Sequence, residues 1–346
     1  MYIDWQSNAA KRTVTSIAIV AVLAAAFALR LLTVWVFDVL ILIIACIAVW
    51  EIMKARRSDT KGVASHYVYS YIFIVYMMFL TGVLLEFKLW LHVVMQAIVF
   101  GIFALYTYLM NYMDKDFIKE ATLKKKSAGK HALTPLSEFL KVVIWPFAML
   151  FALIIINHMG AWAQAEIINH SSCGSDGHNH TSTGELSLIP MVGTFALLLV
   201  FVISCFTDTF AYVVGMTIRG PKMLPQKFRY ISPNKSISGA IGGLFGGIVG
   251  ALLVVLLCSM NTGLQEFLTA RIGESWKVQL VFVFVGLVGA ILTMWGDLHA
   301  SWLKRKVKIK DYGKILPGHG GIMDRLDGIS FNAVLIWFVM MLVVFV

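Results

Sequence analysis

Long apolar runs separated by polar interruptions recur from one end of the chain to the other. A helix rises 1.5 Å per residue, so about 20 apolar residues cross a hydrocarbon layer about 30 Å thick. Nine runs fit that length and predict helices at roughly 13–30, 33–50, 67–85, 89–110, 141–157, 189–207, 239–259, 278–298 and 329–346. The expected fold is therefore all-α, a polytopic integral membrane protein with about nine transmembrane helices. Lys11 and Arg12 before an alanine-rich run have the look of a signal peptide. A second run follows almost at once and no clean A-x-A site parts them, so the first is kept as a helix.

Composition sharpens this picture. Of 346 residues, 59% are hydrophobic and only 14% charged, a balance that suits lipid rather than water as the main solvent. A net charge of +10 would suggest nucleic acid in a soluble protein, but here the placement of the cations says more. Of the 29 Lys and Arg residues, all but Arg30, Lys88, Arg271 and Lys277 fall in alternate segments between the runs. By the positive-inside bias those segments face the cytoplasm, which predicts N-in/C-out with the chain in the cell (plasma or inner) membrane. Such a face suits anionic lipid headgroups and nucleotide phosphates, and no nucleic-acid partner is expected. Cys46, Cys205 and Cys258 lie in apolar runs and Cys173 stands alone in a loop, so the four cysteines make no disulfide framework.

The polar interruptions differ in character. Residues 111–141, with Lys124, Lys125 and Lys126 in a row, read as a solvated cytoplasmic connector. Residues 157–189 are expected outside. They carry His158, His170, His178 and His180, a weak transition-metal pattern in what reads as a flexible insertion. Gly239, Gly242, Gly243, Gly246, Gly247 and Gly250 are spaced by three and four, the stripe that lets helices pack closely. Ionisable residues in and beside the apolar runs concentrate after about residue 200. This divides the chain into an N-terminal set of helices, 1–200, and a catalytic region, 201–346.

The densest signal is S-W-L-K-R-K-V-K-I-K-D-Y-G-K-I-L-P-G-H-G-G-I-M-D-R-L-D at 301–327. Lys304, Arg305 and Lys310 suit phosphates, Arg as a fork and Lys as a compact charge. Pro317, Gly318, Gly320 and Gly321 let the backbone turn tightly and bring N–H groups to an anion. Asp324 and Asp327 are three apart, so on a helix they share a face and can hold hard cations. Arg325 points elsewhere, toward phosphate or a carboxylate. Asp208, in T-D-T-F-A-Y-V-V-G, closes an apolar run, where an ionisable group is a functional hypothesis by default. Ser232, Lys235 and Ser236 precede the next run and suit a triphosphate at a helix N-terminus, without the spacing of a Walker A loop. Asp297, in W-G-D-L, adds a third acid near the pair. Cations, donors and four acids on one membrane face are what metal-dependent nucleotidyl transfer requires.

The stretch 301–327 resembles, position for position, the signature of the phosphatidate cytidylyltransferases, S-x-x-K-R-x-x-x-x-K-D-x-G-x-x-x-P-G-H-G-G-x-x-D-R-x-D. The elements at 208–215 and 232–236 resemble the same family, so the close likeness covers roughly 204–330. It implies that a phosphatidate oxygen attacks the α-phosphorus of CTP, giving CDP-diacylglycerol and pyrophosphate. Asp324 and Asp327, helped by Asp297, are then expected to hold Mg2+, with a second cation as an option. Asp208, Tyr212, Ser232, Lys235 and Ser236 would place CTP. Lys304, Arg305, Lys310, Asp311, His319 and Arg325 would serve the phosphates and their surroundings. The likeness also implies a homodimer. Ser238 and Ala300 stand where the family usually has Glu, and each removes a carboxylate from the neighbourhood. Two other readings remain open, a CTP-dependent kinase of a polyprenol or phytol-type lipid and a transporter using Asp208.

Overall fold

The computed structural model describes residues 5–30, 32–56, 65–85, 89–113, 143–171, 188–218, 220–316, 318 and 320–345. Every regular element among them is helical. Helices α1 (Trp5–Arg30), α2 (Val34–Arg56), α3 (Ser65–Leu84) and α4 (Leu89–Met113) form the first part. A short bent segment, Val143–Ala148, leads into α5 (Met149–Ser171) and α6 (Leu188–Ile218). Then come α7 (Ile237–Cys258), α8 (Thr262–Ile272), α9 (Ser275–Lys306) and α10 (Met323–Phe345). Among the described residues six stretches are long and apolar enough to cross a membrane: Val34–Ala55, Val143–Ala163, Met191–Ile218, Ile237–Cys258, Ser275–Lys306 and Met323–Val344. Three shorter apolar helical stretches, Val14–Arg30, Val68–Leu84 and Val94–Leu105, lie at other expected positions. The chain is thus a multi-pass, all-helical membrane protein.

Two compact units divide it, Met1–Ile43 with Met149–Val346, and Ile44–Ala148. In the second, Tyr71 of α3 meets the rings of Phe100 and Phe103 of α4 and Phe147, at centroid distances of 6.5, 5.1 and 5.9 Å. All described candidate residues for chemistry lie in the first unit.

Within that unit the glycine stripe explains the packing. A Cβ on Gly242 would stand 2.5 Å from Val214 Cβ of α6, and one on Gly246 2.5 Å from the Phe206 carbonyl. On the other side of α7, a Cβ on Gly247 would lie 2.6 Å from Ala290 Cβ of α9. Real contacts of this kind are 3.4–4 Å, so only glycine allows α7 to lie this close to α6 and α9. Gly296 and Gly328 repeat the device where α9 crosses α10: a Cβ on Gly296 would sit 2.5 Å from the Asp327 carbonyl oxygen. Asn332 of α10 donates to Val200 O (3.0 Å) and Ser204 Oγ (3.2 Å) of α6, and Ser204 meets Thr293 of α9 at 3.4 Å. This polar bridge registers three helices where lipid offers no partner.

Four features depart from the sequence expectations. Helix α6 runs on to Ile218, because A-Y-V-V-G-M-T-I continues the apolar run, so Asp208 lies inside the helix rather than at its end. Residues 157–171 are helix, not loop, while His178 and His180 lie outside the described residues. The surface assigned to Arg30 and His158 is interior: Arg30 is 1% exposed and donates to Asn157 Oδ1 (2.5 Å) and Thr194 Oγ1. Asn157 donates to Asp38 Oδ1 (2.8 Å), and His158 Nε2 meets Asp38 Oδ2 at 2.6 Å, so the Asp38 carboxylate has polar partners inside the unit and offsets the Arg30 charge. Finally, 262–272 forms the amphipathic α8, capped by Asn261 and burying Leu264, Phe267 and Leu268. The connector 111–141 lies outside the described residues beyond Met113.

Candidate active site

The polar groups of α6, α7, α9 and α10 gather at one end of this bundle. Ser236 caps α7 in an extended conformation and accepts the Gly239 N–H at 3.1 Å. Its hydroxyl therefore serves the helix first. Lys235, one residue earlier, reaches across to α9, with Nζ 2.6 Å from Asp297 Oδ2 and 3.4 Å from Met294 O. Asp297 Oδ1 faces Ser301 Oγ at 3.5 Å.

Asp327 enters from α10 at the point where Gly296 brings α9 closest, which sets it beside Asp297. Its Oδ1 accepts the N–H of Gly328 at 2.9 Å. The carboxylates of Asp208, Asp297 and Asp327 lie within electrostatic reach of one another, with Lys235 and Arg325 near Asp208 and Lys304 near Asp327. Three helices thus bring three carboxyl groups together, an arrangement relieved by neighbouring cations or by a shared proton.

Asp324 is spent differently. Its Oδ1 accepts from Lys304 Nζ at 2.8 Å, while Oδ2 accepts the backbone N–H groups of Tyr312 and Gly321, each at 2.9 Å. The Asp324 side chain is 3% exposed and that of Lys304 12%. One carboxylate therefore clamps the end of α9, the segment 312–321 and the first turn of α10. Inside that segment Leu316 and Gly320 exchange backbone hydrogen bonds of 2.9 and 3.1 Å, and Gly318 (φ 76°) and Gly320 (φ 87°) take conformations that only glycine adopts without strain. The tight turn expected from the glycines exists; Pro317 and His319 lie outside the described residues.

Other expected residues sit further out. Tyr212 shares the Asp208 face of α6, one turn on, and is 66% exposed. Ser232 is half-buried in the turn before α7, and Lys310 and Asp311 are exposed after α9. Arg305 donates through Nη1 to Ile309 O at 3.2 Å, closing the C-terminus of its own helix. The two departures from the family pattern have local occupations. Ser238 Oγ accepts the Gly220 N–H at 3.1 Å, and Ala300 is fully buried with its carbonyl accepting from Tyr312 Oη at 3.4 Å.

Among the described residues no three His, Cys, Asp or Glu side chains form a ready-made metal cage. Magnesium does not require one, since it is usually held by one or two carboxylates together with substrate phosphates and water. Asp297 and Asp327, within electrostatic reach of each other, are carboxylates of the kind such a site uses. A cavity of about 360 Å³ opens at the other end of the bundle, between α7, α8 and α9. It is lined by aliphatic and uncharged polar groups, Leu252, Leu268 and Gln265 among them, with Cys258, and takes no part in the acidic cluster.

Sequence reasoning missed Tyr312, Gly296 and Gly328. The two glycines flank the acidic residues in W-G-D-L and D-R-L-D-G, so their small size beside a charge was the available signal.

A bundle of membrane-length helices that gathers carboxylates, lysines and a glycine turn at one end defines a multi-pass membrane protein. The chain belongs to the cytidylyltransferase family, whose model matches residues 10–343. It is 37% identical over 145 residues to a phosphatidate cytidylyltransferase of Brucella abortus, covering 42% of this chain and 46% of that one. It is 36% identical over 154 residues to one of Helicobacter pylori, covering 42% and 52%. It is 30% identical over 213 residues to one of Rickettsia bellii, covering 58% and 84%. The chain spans about half the length of the first of these relatives.

Proposed function

We propose that this protein transfers CMP from CTP to phosphatidate, forming CDP-diacylglycerol and pyrophosphate. The observation that carries the reading is the convergence of Asp208, Asp297 and Asp327 with Lys235 and Lys304 where α6, α7, α9 and α10 meet. In the reaction a phosphatidate phosphate oxygen bonds to the α-phosphorus of CTP, and the bond to the β-phosphate oxygen breaks, so pyrophosphate leaves with its electron pair. The nucleophile is already an anion, so the barrier lies in bringing two polyanions together rather than in taking a proton. Lys235 and Lys304 supply fixed positive charge beside the carboxylates they pair with. Asp297 and Asp327 would hold Mg2+, which when bound neutralises the phosphates; a second cation would lie near Asp208. The signature assigns Asp324 to the same cation, and its contacts here make it also the clamp of the turn. Tyr212, Ser232 and Ser236 would border the nucleotide, and Arg305, Lys310, Asp311, His319 and Arg325 the phosphates.

The site faces the cytoplasm in this reading, supported by the concentration of Lys and Arg on that side of an N-in/C-out chain of nine helices in the plasma or inner membrane. Residues 201–346 would hold the catalytic region, the first 200 residues the remaining helices, and two copies would form a homodimer. Phosphatidate would enter sideways from the inner leaflet, keeping its acyl chains in hydrocarbon.

Purified protein with CTP labelled at the α-phosphorus, phosphatidate and Mg2+ tests the reading. Labelled CDP-diacylglycerol and stoichiometric pyrophosphate are expected. Labelled CDP with a newly phosphorylated lipid would establish a lipid kinase instead, and neither product would refute both.

A further inference from the structure

Tyr312 occupies a position that the signature leaves open, yet it touches every part of the frame beneath the turn. Its side chain is buried, and its ring centre lies 5.6 Å from Lys304 Nζ, within cation–π range. Its backbone N–H donates to Asp324 Oδ2 at 2.9 Å, and its hydroxyl reaches the Ala300 carbonyl, one turn before Lys304 on α9. A single residue thus meets both members of the Lys304–Asp324 pair and the helix from which Lys304 rises.

We propose that Tyr312 is a positioning residue: it fixes Lys304 and Asp324 as one unit and so sets the position that the Lys304 ammonium and the 312–321 turn take toward phosphate. This rests on the cytidylyl-transfer reading for its substrate and on the contacts above for its mechanics. A lysine ammonium on four rotatable carbons has many conformers, and the ring below it removes most of them before substrate arrives. The second oxygen of Asp324 is shared by Tyr312 and Gly321, so any loosening of residue 312 passes directly to the far end of the turn. Gly320 lies against the same oxygen, a Cβ there standing 3.1 Å from it, so the turn packs closely on the carboxylate.

The test compares Tyr312→Phe with Tyr312→Leu in the full chain. Amide hydrogen exchange over 308–321 is measured with kcat and KM for CTP. The leucine variant is expected to speed exchange in 312–321 while α6, α7 and α9 exchange as in the wild type. It is also expected to lower kcat/KM about tenfold, mostly through KM. The phenylalanine variant keeps the ring and loses only a long hydroxyl contact, so it should stay within about twofold of wild type. Unchanged exchange and kinetics in Tyr312→Leu would overturn the proposal. Faster exchange spread equally over all four helices would also overturn it, marking Tyr312 as ordinary packing. If the wild type makes no CDP-diacylglycerol, the functional reading fails, while the exchange comparison still decides on Tyr312.

Discussion

Replacing Asp324 with asparagine removes one charge from a pair that is almost closed to water, and the geometry sets what this costs. Three donors, Lys304 Nζ, Tyr312 N–H and Gly321 N–H, converge on the two oxygens of the carboxylate. Asparagine keeps one acceptor oxygen and turns an NH2 group toward the remaining donors, leaving Lys304 charged, nearly buried and unpaired. Breaking a buried pair by removing one partner costs about 3–5 kcal/mol. The retained oxygen argues for the lower end, about 3 kcal/mol. At about 2 °C per kcal/mol for a large domain, the melting temperature should fall by roughly 6 °C. Tryptophan fluorescence of the detergent-solubilised protein during a thermal ramp reads this directly. Lys304→Met combined with Asp324→Asn should recover part of the loss, because the unpaired cation disappears. A melting temperature unchanged in Asp324→Asn, or strict additivity in the double variant, would refute the assignment of Asp324 as a clamp.

Asp327→Asn should behave oppositely: its Oδ1 accepts the neighbouring Gly328 N–H, a bond the asparagine oxygen can keep, so folding is retained in circular dichroism while CMP transfer falls by a factor of at least about 100. Full activity in that variant would remove Asp327 from the site. Gly247→Leu drives a side chain into Ala290 and the Gly286 carbonyl, and size-exclusion chromatography should show loss of the monodisperse peak, whereas Gly101→Ala, which meets nothing within 4 Å, should leave it intact. Arg30→Ala strips the compensating charge from a buried network with Asp38, Asn157 and Thr194 at a cost of about 3–5 kcal/mol. Recovery of folded protein after solubilisation should drop sharply, and normal recovery would show that the network carries little.

The helices were legible in the sequence because lipid imposes a crude rule: a segment that crosses must be apolar for its whole length and must satisfy its own backbone. The α7 stripe from Gly239 to Gly250 was readable for a related reason, since spacing alone puts those residues on one face. Lys304, Asp324 and Asp327 were readable as neighbours because 301–327 sets them close together in the chain, whereas Asp208, Asp297 and Lys235 join them only across helices. What each carboxylate does was not readable. Asp324 and Asp327 look equivalent at a spacing of three, yet one is consumed by Lys304, Tyr312 and Gly321 while the other faces Asp297 and Asp208. Arg30 and His158 read as surface charges beside a loop and are interior partners of Asn157 and Asp38. Spacing along the chain determines which side chains share a face of one helix. Which partner that face meets is decided by the close crossings at Gly296 and Gly328, and hydrogen-bond distances of under 3 Å leave no room for that choice to be made anywhere but in the folded protein.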